Sequence, residues 1–314
     1  MVVAWASVGK CPPSVGRGFL LAAWPVGVDM SPAMGKSEND EEVARGLLQV
    51  GLRLGQLGRG EDGIVVYDEL VARFGEGADS ELREQVARAL GNKGYVLGEL
   101  NRHEEAVAVY DELLSRFGEA PELELRQQVA LALYNKGGSL RRLGRLDERL
   151  VLYDALLKRF GDDSAAGLVE VVVDALLLKG TALRELDRVE EAIAVYDELV
   201  ERYGQDTDAD RRERVARTLA FKAVALGELG RWEDAVAVYD DLVGRFGDAP
   251  ESELRQQVAT ALYNRGARLE QLGRTEDALA AYQGLLSRVR EGDSPDIDQV
   301  VVWARARREL LLSR

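Results

Sequence analysis

Very few residues of this chain could act as a general base or a nucleophile near neutral pH. His103 is the only histidine and Cys11 the only cysteine among 314 residues. His103 follows Asn101 and Arg102, a turn-like setting, and reads as a solvated turn residue. Cys11 lies in a non-repetitive region, and one cysteine can form neither an intrachain disulfide nor a cysteine-based zinc site. There is no Ser–His–Asp set, no H-E-x-x-H, and no glycine loop ending in Lys-Ser/Thr to cradle phosphate. Carboxylates are plentiful, 55 Asp and Glu against 41 Lys and Arg for a net charge of −14, but no pair recurs at positions that would bury both together. We therefore expect no enzyme, cofactor or metal. The acidic balance also disfavours sequence-independent nucleic-acid binding, which needs a basic footprint.

The informative pattern is periodic. Tyr67, Tyr110, Tyr153, Tyr196, Tyr239 and Tyr282 are each 43 residues apart, and the first five are followed by Asp. A fixed period of this size marks a stacked array, whose product is a long surface. Other positions keep the beat. Leu57, Leu100, Leu143, Leu186, Leu229 and Leu272 each precede Gly, Asn or Asp, the types that accept left-handed turn geometry. Gly51, Gly94, Gly137, Gly180, Ala223 and Gly266 form a small-residue row, as a close helix crossing would require. Phe74, Phe117, Phe160, Tyr203 and Phe246 are each followed by Gly, the usual C-terminal cap of a helix.

Apolar spacing divides each unit into two helices. Leu82, Val86, Leu90, Leu97 and Leu100 share one helical face with Gly94, giving a first helix of about 20 residues. Ala106, Val109, Tyr110, Leu113, Leu114 and Phe117 mark a shorter second helix ending at Gly118. Pro121 and Pro250 suit a first helical turn. No segment alternates as a strand would. Each hairpin has a second apolar stripe that only a neighbour can cover, so stacking is obligatory.

The segments Ala132–Gly137 (Ala-Leu-Tyr-Asn-Lys-Gly) and Ala261–Gly266 (Ala-Leu-Tyr-Asn-Arg-Gly), with Glu104–Tyr110 and Glu190–Tyr196, resemble the first and second helices of the tetratricopeptide repeat family. The resemblance covers roughly residues 40–290. Its small interhelix residue is matched by Ala106, Ala192, Ala235 and Ala278. Gly63 and Arg149 depart from it, and Arg149 should loosen its hairpin or turn outward. The usual unit has 34 residues. The extra nine carry Leu82, Leu125, Leu168 and Leu254, with Arg211 as the exception, and Val86, Val129, Val172, Val215 and Val258, so the first helix is extended backward by about two turns, or about 12 Å. The implied fold is an all-α, right-handed superhelical solenoid of about six antiparallel hairpins with a C-terminal capping helix.

The resemblance also implies a binding face. Such proteins hold an extended peptide or partner helix along the concave face lined by first helices. Matching that face gives Asn92, Asn135 and Asn264 in one row, Tyr134 and Tyr263 beside it, and Arg141, Arg142 and Arg184 further along. Asn can bond a peptide backbone as donor and acceptor, and Arg offers a planar fork to carboxylates. The three arginines thus suit a partner with an acidic segment. The competing reading is that Glu99, Glu185 and Glu228 pair with them at the surface. The expected function is a non-catalytic scaffold for a protein or peptide partner. Alternatives are an array that self-associates through the terminal helix or the long first helices, or the regulatory repeat region of a larger signalling or NTPase system.

The ends depart from the repeat. Residues 1–36 read as a disordered tail or as sequence upstream of a start at Met30 or Met34, and ordered structure should begin at Ser37. The run Phe19–Val28 with Ser31-Pro32-Ala33 is an alternative export signal; otherwise a cytoplasmic location is expected. No run of 18 apolar residues exists for a membrane helix. The array occupies 37–290. In 291–314, Ser294-Pro295-Asp296 opens a helix whose Trp303 reads as a cap contact, with dimerisation through this helix as the alternative.

Overall fold

The computed structural model describes residues 36–76, 79–289 and 295–313, with side chains from residue 40 onward. These contain thirteen helices and no strand. The expected readings of the N-terminal tail and of an export signal lie outside the described residues.

The helices form six pairs and one single. The pairs are α1 (Lys36–Gln56) with α2 (Gly60–Phe74), α3 (Ser80–Glu99) with α4 (His103–Phe117), and α5 (Leu123–Arg142) with α6 (Leu146–Phe160). They continue as α7 (Ala166–Glu185) with α8 (Val189–Tyr203), α9 (Ala209–Glu228) with α10 (Trp232–Phe246), and α11 (Ser252–Gln271) with α12 (Thr275–Arg288). The single helix α13 (Pro295–Leu312) closes the described array. From α3 to α11 every first helix has 20 residues, and the Leu row of the added segment is buried at Leu125, Leu168 and Leu254. At the exception, Arg211 instead holds Asp206 at 2.6 Å and also pairs with Glu170.

Each first helix touches its own second helix, the preceding second helix and the next first helix, whereas successive second helices do not touch. The first helices therefore form the inner layer and the second helices splay outside. Inside five of the six hairpins the recurrent tyrosine is packed on the recurrent glycine, and the fifth unit carries Ala223 at that position. A Cβ at Gly94 would lie 2.6 Å from the Tyr110 ring, and one at Gly137 or Gly266 would meet Tyr153 or Tyr282 at 2.6 or 2.5 Å. The close crossing is thus an aromatic ring lying on bare backbone, with all six tyrosines at most 1% exposed. The intra-hairpin turns take positive φ at Gly58, Asn101, Gly144, Asp187, Gly230 and Gly273, between 60° and 73°.

Four local expectations need correction. Gly75, Gly118, Gly161, Gly204 and Gly247 stay right-handed, with φ from −53° to −64°. What favours glycine there is proximity: a Cβ would press on the carbonyl four residues back, and at all but Gly118 the next unit's arginine passes close by. Arg202, Arg245 and Arg288 donate to the carbonyls of Gly161, Gly204 and Gly247, at 3.1 and 2.9 Å for the last two. Pro121 and Pro250 lie just before the N-caps Glu122 and Glu251, not inside the first turn. The first helix begins at Lys36, which puts Ser37 inside it. Arg149 turns inward: it is 2% exposed, lies over the Tyr153 ring at 5.3 Å, and reaches Glu185 at 3.4 Å. A guanidinium can enter because its flat face stacks on the ring while its edge meets a carboxylate.

A candidate protein-binding face on the first-helix layer

The accessible stripe of the inner layer is clearest on α5, where Gln127, Gln128, Leu131, Tyr134, Asn135, Gly138 and Arg142 remain at least partly open. Spacings of three and four residues keep them on one side of the helix. Of the sequence-derived candidates, Tyr134 and Asn135 are half-buried and Arg142 is exposed. Asn92 is more enclosed, at 8%. Tyr263 and Asn264 are 5% and 3% exposed. The Tyr263 ring packs against Trp303 of α13 and Tyr282, with both centroids 5.9 Å away. α13 therefore covers Tyr263 at the last unit, and Trp303 is a cap contact.

Arg141 and Arg184 each find a carboxylate one unit on. Arg141 contacts Glu185 at 2.8 Å, and Arg184 grips Glu228 with two nitrogens. Burial alone would lower the Arg184 pKa, but Glu228 and Tyr196 together more than offset it, and the net direction is upward. The three arginines do share one edge of the inner layer, but Arg142 is the one left open. Its neighbour is His103, which is not a free turn residue: it opens α4 and is half-buried. Burial, aided by the Arg142 charge, lowers its pKa and favours the neutral imidazole.

Toward the other end of the same helices lies a row that the sequence reading missed: Glu84, Gln127, Glu170, Glu213 and Gln256, again 43 residues apart. Burial raises the pKa values of Glu84, Glu170 and Glu213, and acidic neighbours add to this at each. Beside the row, Arg214 of α9 holds Asp174 of α7 through two hydrogen bonds, at 2.5 and 3.2 Å. Both side chains are 12% exposed. The signal was legible as a Glu/Gln beat, but acids are so common here that it did not stand out. The face is thus polar, acidic toward the first-helix N-termini and more basic toward the C-termini. It offers hydrogen-bonding and charged recognition along a rigid layer.

These features define a helical-hairpin solenoid with a continuous inner helix layer. A tetratricopeptide repeat model matches residues 151–207 and 222–294, and a second model of the same description matches 87–117. The chain belongs to the tetratricopeptide repeat family, and its coarse role is that of a protein-interaction scaffold. Among solved structures, it is similar to BtubC (BKLC) from P. vanneervenii, with TM-score 0.53 and 16% identity over 88% of this chain and 93% of that one. A tetratricopeptide repeat protein from Parabacteroides merdae gives TM-score 0.50 and 14% identity over 84% and 99%. These are likenesses of fold. No curated protein is significantly similar in sequence. No described helix is long and apolar enough to cross a membrane.

Proposed function

We propose that the chain captures an extended segment or a helix of a partner protein along the face formed by α3, α5, α7 and α9. The observation that carries this reading is the unbroken first-helix layer with its open stripe, from Gln127 to Arg142 on α5. A layer already held by neighbouring units needs no ordering on binding, so the entropic cost falls on the partner alone. Tyr134 and Asn135 supply apolar surface and a backbone-matching amide. Arg142 takes an acidic side chain of the partner directly. Arg141 and Arg184 join it only by exchanging Glu185 and Glu228 for the partner's carboxylates. The Glu84, Glu170 and Glu213 row favours basic residues at the opposite edge.

Affinity capture from host lysate, read by mass spectrometry, tests this with the full chain and a Tyr134→Ala, Arg142→Glu variant. Loss of a specific protein from the variant supports the face. A protein retained equally by both places binding elsewhere.

A further inference from the structure

Val43, Leu47, Val50, Leu54 and Leu57 follow one another at alternating spacings of four and three residues, which sets them on one stripe of α1 and the turn after it. One unit on, the counterparts Val86, Leu90 and Leu97 are each 1% exposed. In the first unit the equivalent Val43, Leu47 and Leu54 are only half-buried, and the stripe runs on to Val50, 50% exposed, and Leu57, 58% exposed against 38% at its counterpart Leu100. Position 50 also breaks the repeat. Its counterparts are Lys93, Lys136, Lys179, Lys222 and Arg265, each ion-paired with the Asp that follows the recurrent Tyr of the preceding unit. Had this end simply faced water, a lysine would have served. Valine instead suits a cover that is apolar and brings no carboxylate.

We propose that this stripe is a dimer seam, docked antiparallel on α1 of a second copy of the chain about a two-fold axis near Val50. A two-fold pairing sets Val43 against Leu57 of the second copy, Leu47 against Leu54, and Val50 on itself, so one surface satisfies both sides. Charge selects the antiparallel sense. Asp40 and Glu42 lie at one end of the stripe and Arg53 toward the other, where Arg59 is already paired with Asp62; antiparallel docking brings each acidic end beside the other copy's Arg53 and opposes the two helix dipoles. Gly46 borders the stripe with nothing within 4 Å of where a Cβ would stand, which permits close helix approach. The seam runs about 21 Å along the helix, and it leaves the groove face of α3 to α9 free.

Sedimentation equilibrium of the full-length protein over a wide concentration range tests this. The expected mass is that of a dimer. Val50→Lys introduces the residue type that four internal units carry at this position, and should weaken the dimer at least about a hundredfold by facing two charges on the axis. Far-ultraviolet circular dichroism should not change. Leu57→Lys should do the same from the end of the seam. A wild-type monomer at every concentration overturns the proposal, and if Val50→Lys then lowers its Tm, another part of the same chain covers the stripe. A dimer that survives both substitutions also overturns it, because association then occurs through another face.

Discussion

At the C-terminal end α13 lays Ile297, Val301 and Ala304 on the last hairpin at 2, 9 and 0% exposure, whereas at the N-terminal end Val50 and Leu57 stand 50 and 58% exposed on the first. The same unit design faces outward at both ends, and each hairpin has one apolar stripe that its own helices cannot cover. At the last unit the chain supplies the cover and ties it with charge: Arg307 holds Glu270, which also accepts from the Tyr282 hydroxyl at 2.6 Å. At the first unit it replaces the charged rung with valine. Burying a leucine-sized side chain is worth about 1.5–3 kcal/mol, so the two solutions differ in where that free energy comes from: from within the chain at one end, from a second molecule at the other.

The largest effect should separate covered from uncovered positions. Leu90→Ala and Ile297→Ala should each cost about 2–5 kcal/mol in denaturant unfolding, through lost contacts and a cavity. Leu47→Ala, at the equivalent position to Leu90, should cost less, about 1 kcal/mol in the monomer, because Leu47 is only half-buried and no described unit precedes it. Equal losses at Leu47 and Leu90 would break the contrast between ends. Next come Gly51→Val and Gly137→Val. Both put a side chain into the facing tyrosine ring and should cost alike, about 1–3 kcal/mol. Here the ends should not differ, since this contact lies within a hairpin; thermal unfolding of the two variants checks it.

Smaller still is the charged rung. Lys136→Met removes the pair with Asp111 and should cost at most about 1 kcal/mol, since Asp111 is largely solvated and such pairs are weak. Its effect should fade with added salt. The smallest effect is a pH dependence. Burial, the main cause, raises the Glu213 pKa despite the opposing charges of Arg217 and Arg214, so the folded state holds this proton more tightly than the unfolded chain. That stabilisation is present below the ordinary carboxylate range and is lost as pH rises through the raised value. Glu213→Gln should therefore raise Tm at neutral pH, with the gain vanishing in acid. A gain that persists unchanged into acid would show that this carboxylate is not the cause.

The elements were largely legible before any coordinates. The small-residue row reads as a close helix crossing, though not as one filled by the tyrosine rings, and the turn residues at Asn101 and Asp187 follow from the φ they must adopt. Side-chain destinations were less legible. Arg149 was expected to face water or loosen its hairpin, but Tyr153 and Glu185 give it an interior place. Of the candidate face, Tyr134, Asn135 and Arg142 have open positions, while Tyr263 packs against Trp303 of α13 and Asn264 is buried beside Tyr239. Helical phase says which side of its own helix a residue occupies, and nothing about a capping helix some 40 residues later in the chain.

Sequence alone determined the helices, their pairing into 43-residue units and the need to stack, because apolar spacing and turn chemistry act within a few residues. Only the tertiary structure decided which arginines are already partnered, which positions of the candidate face stay open, and where the first unit is left uncovered. Those depend on how one unit is rotated onto the next, a relation set by packing between residues about 40 positions apart. The pairs Arg141–Glu185 and Arg184–Glu228, and the uncovered stripe around Val50, are its direct consequences.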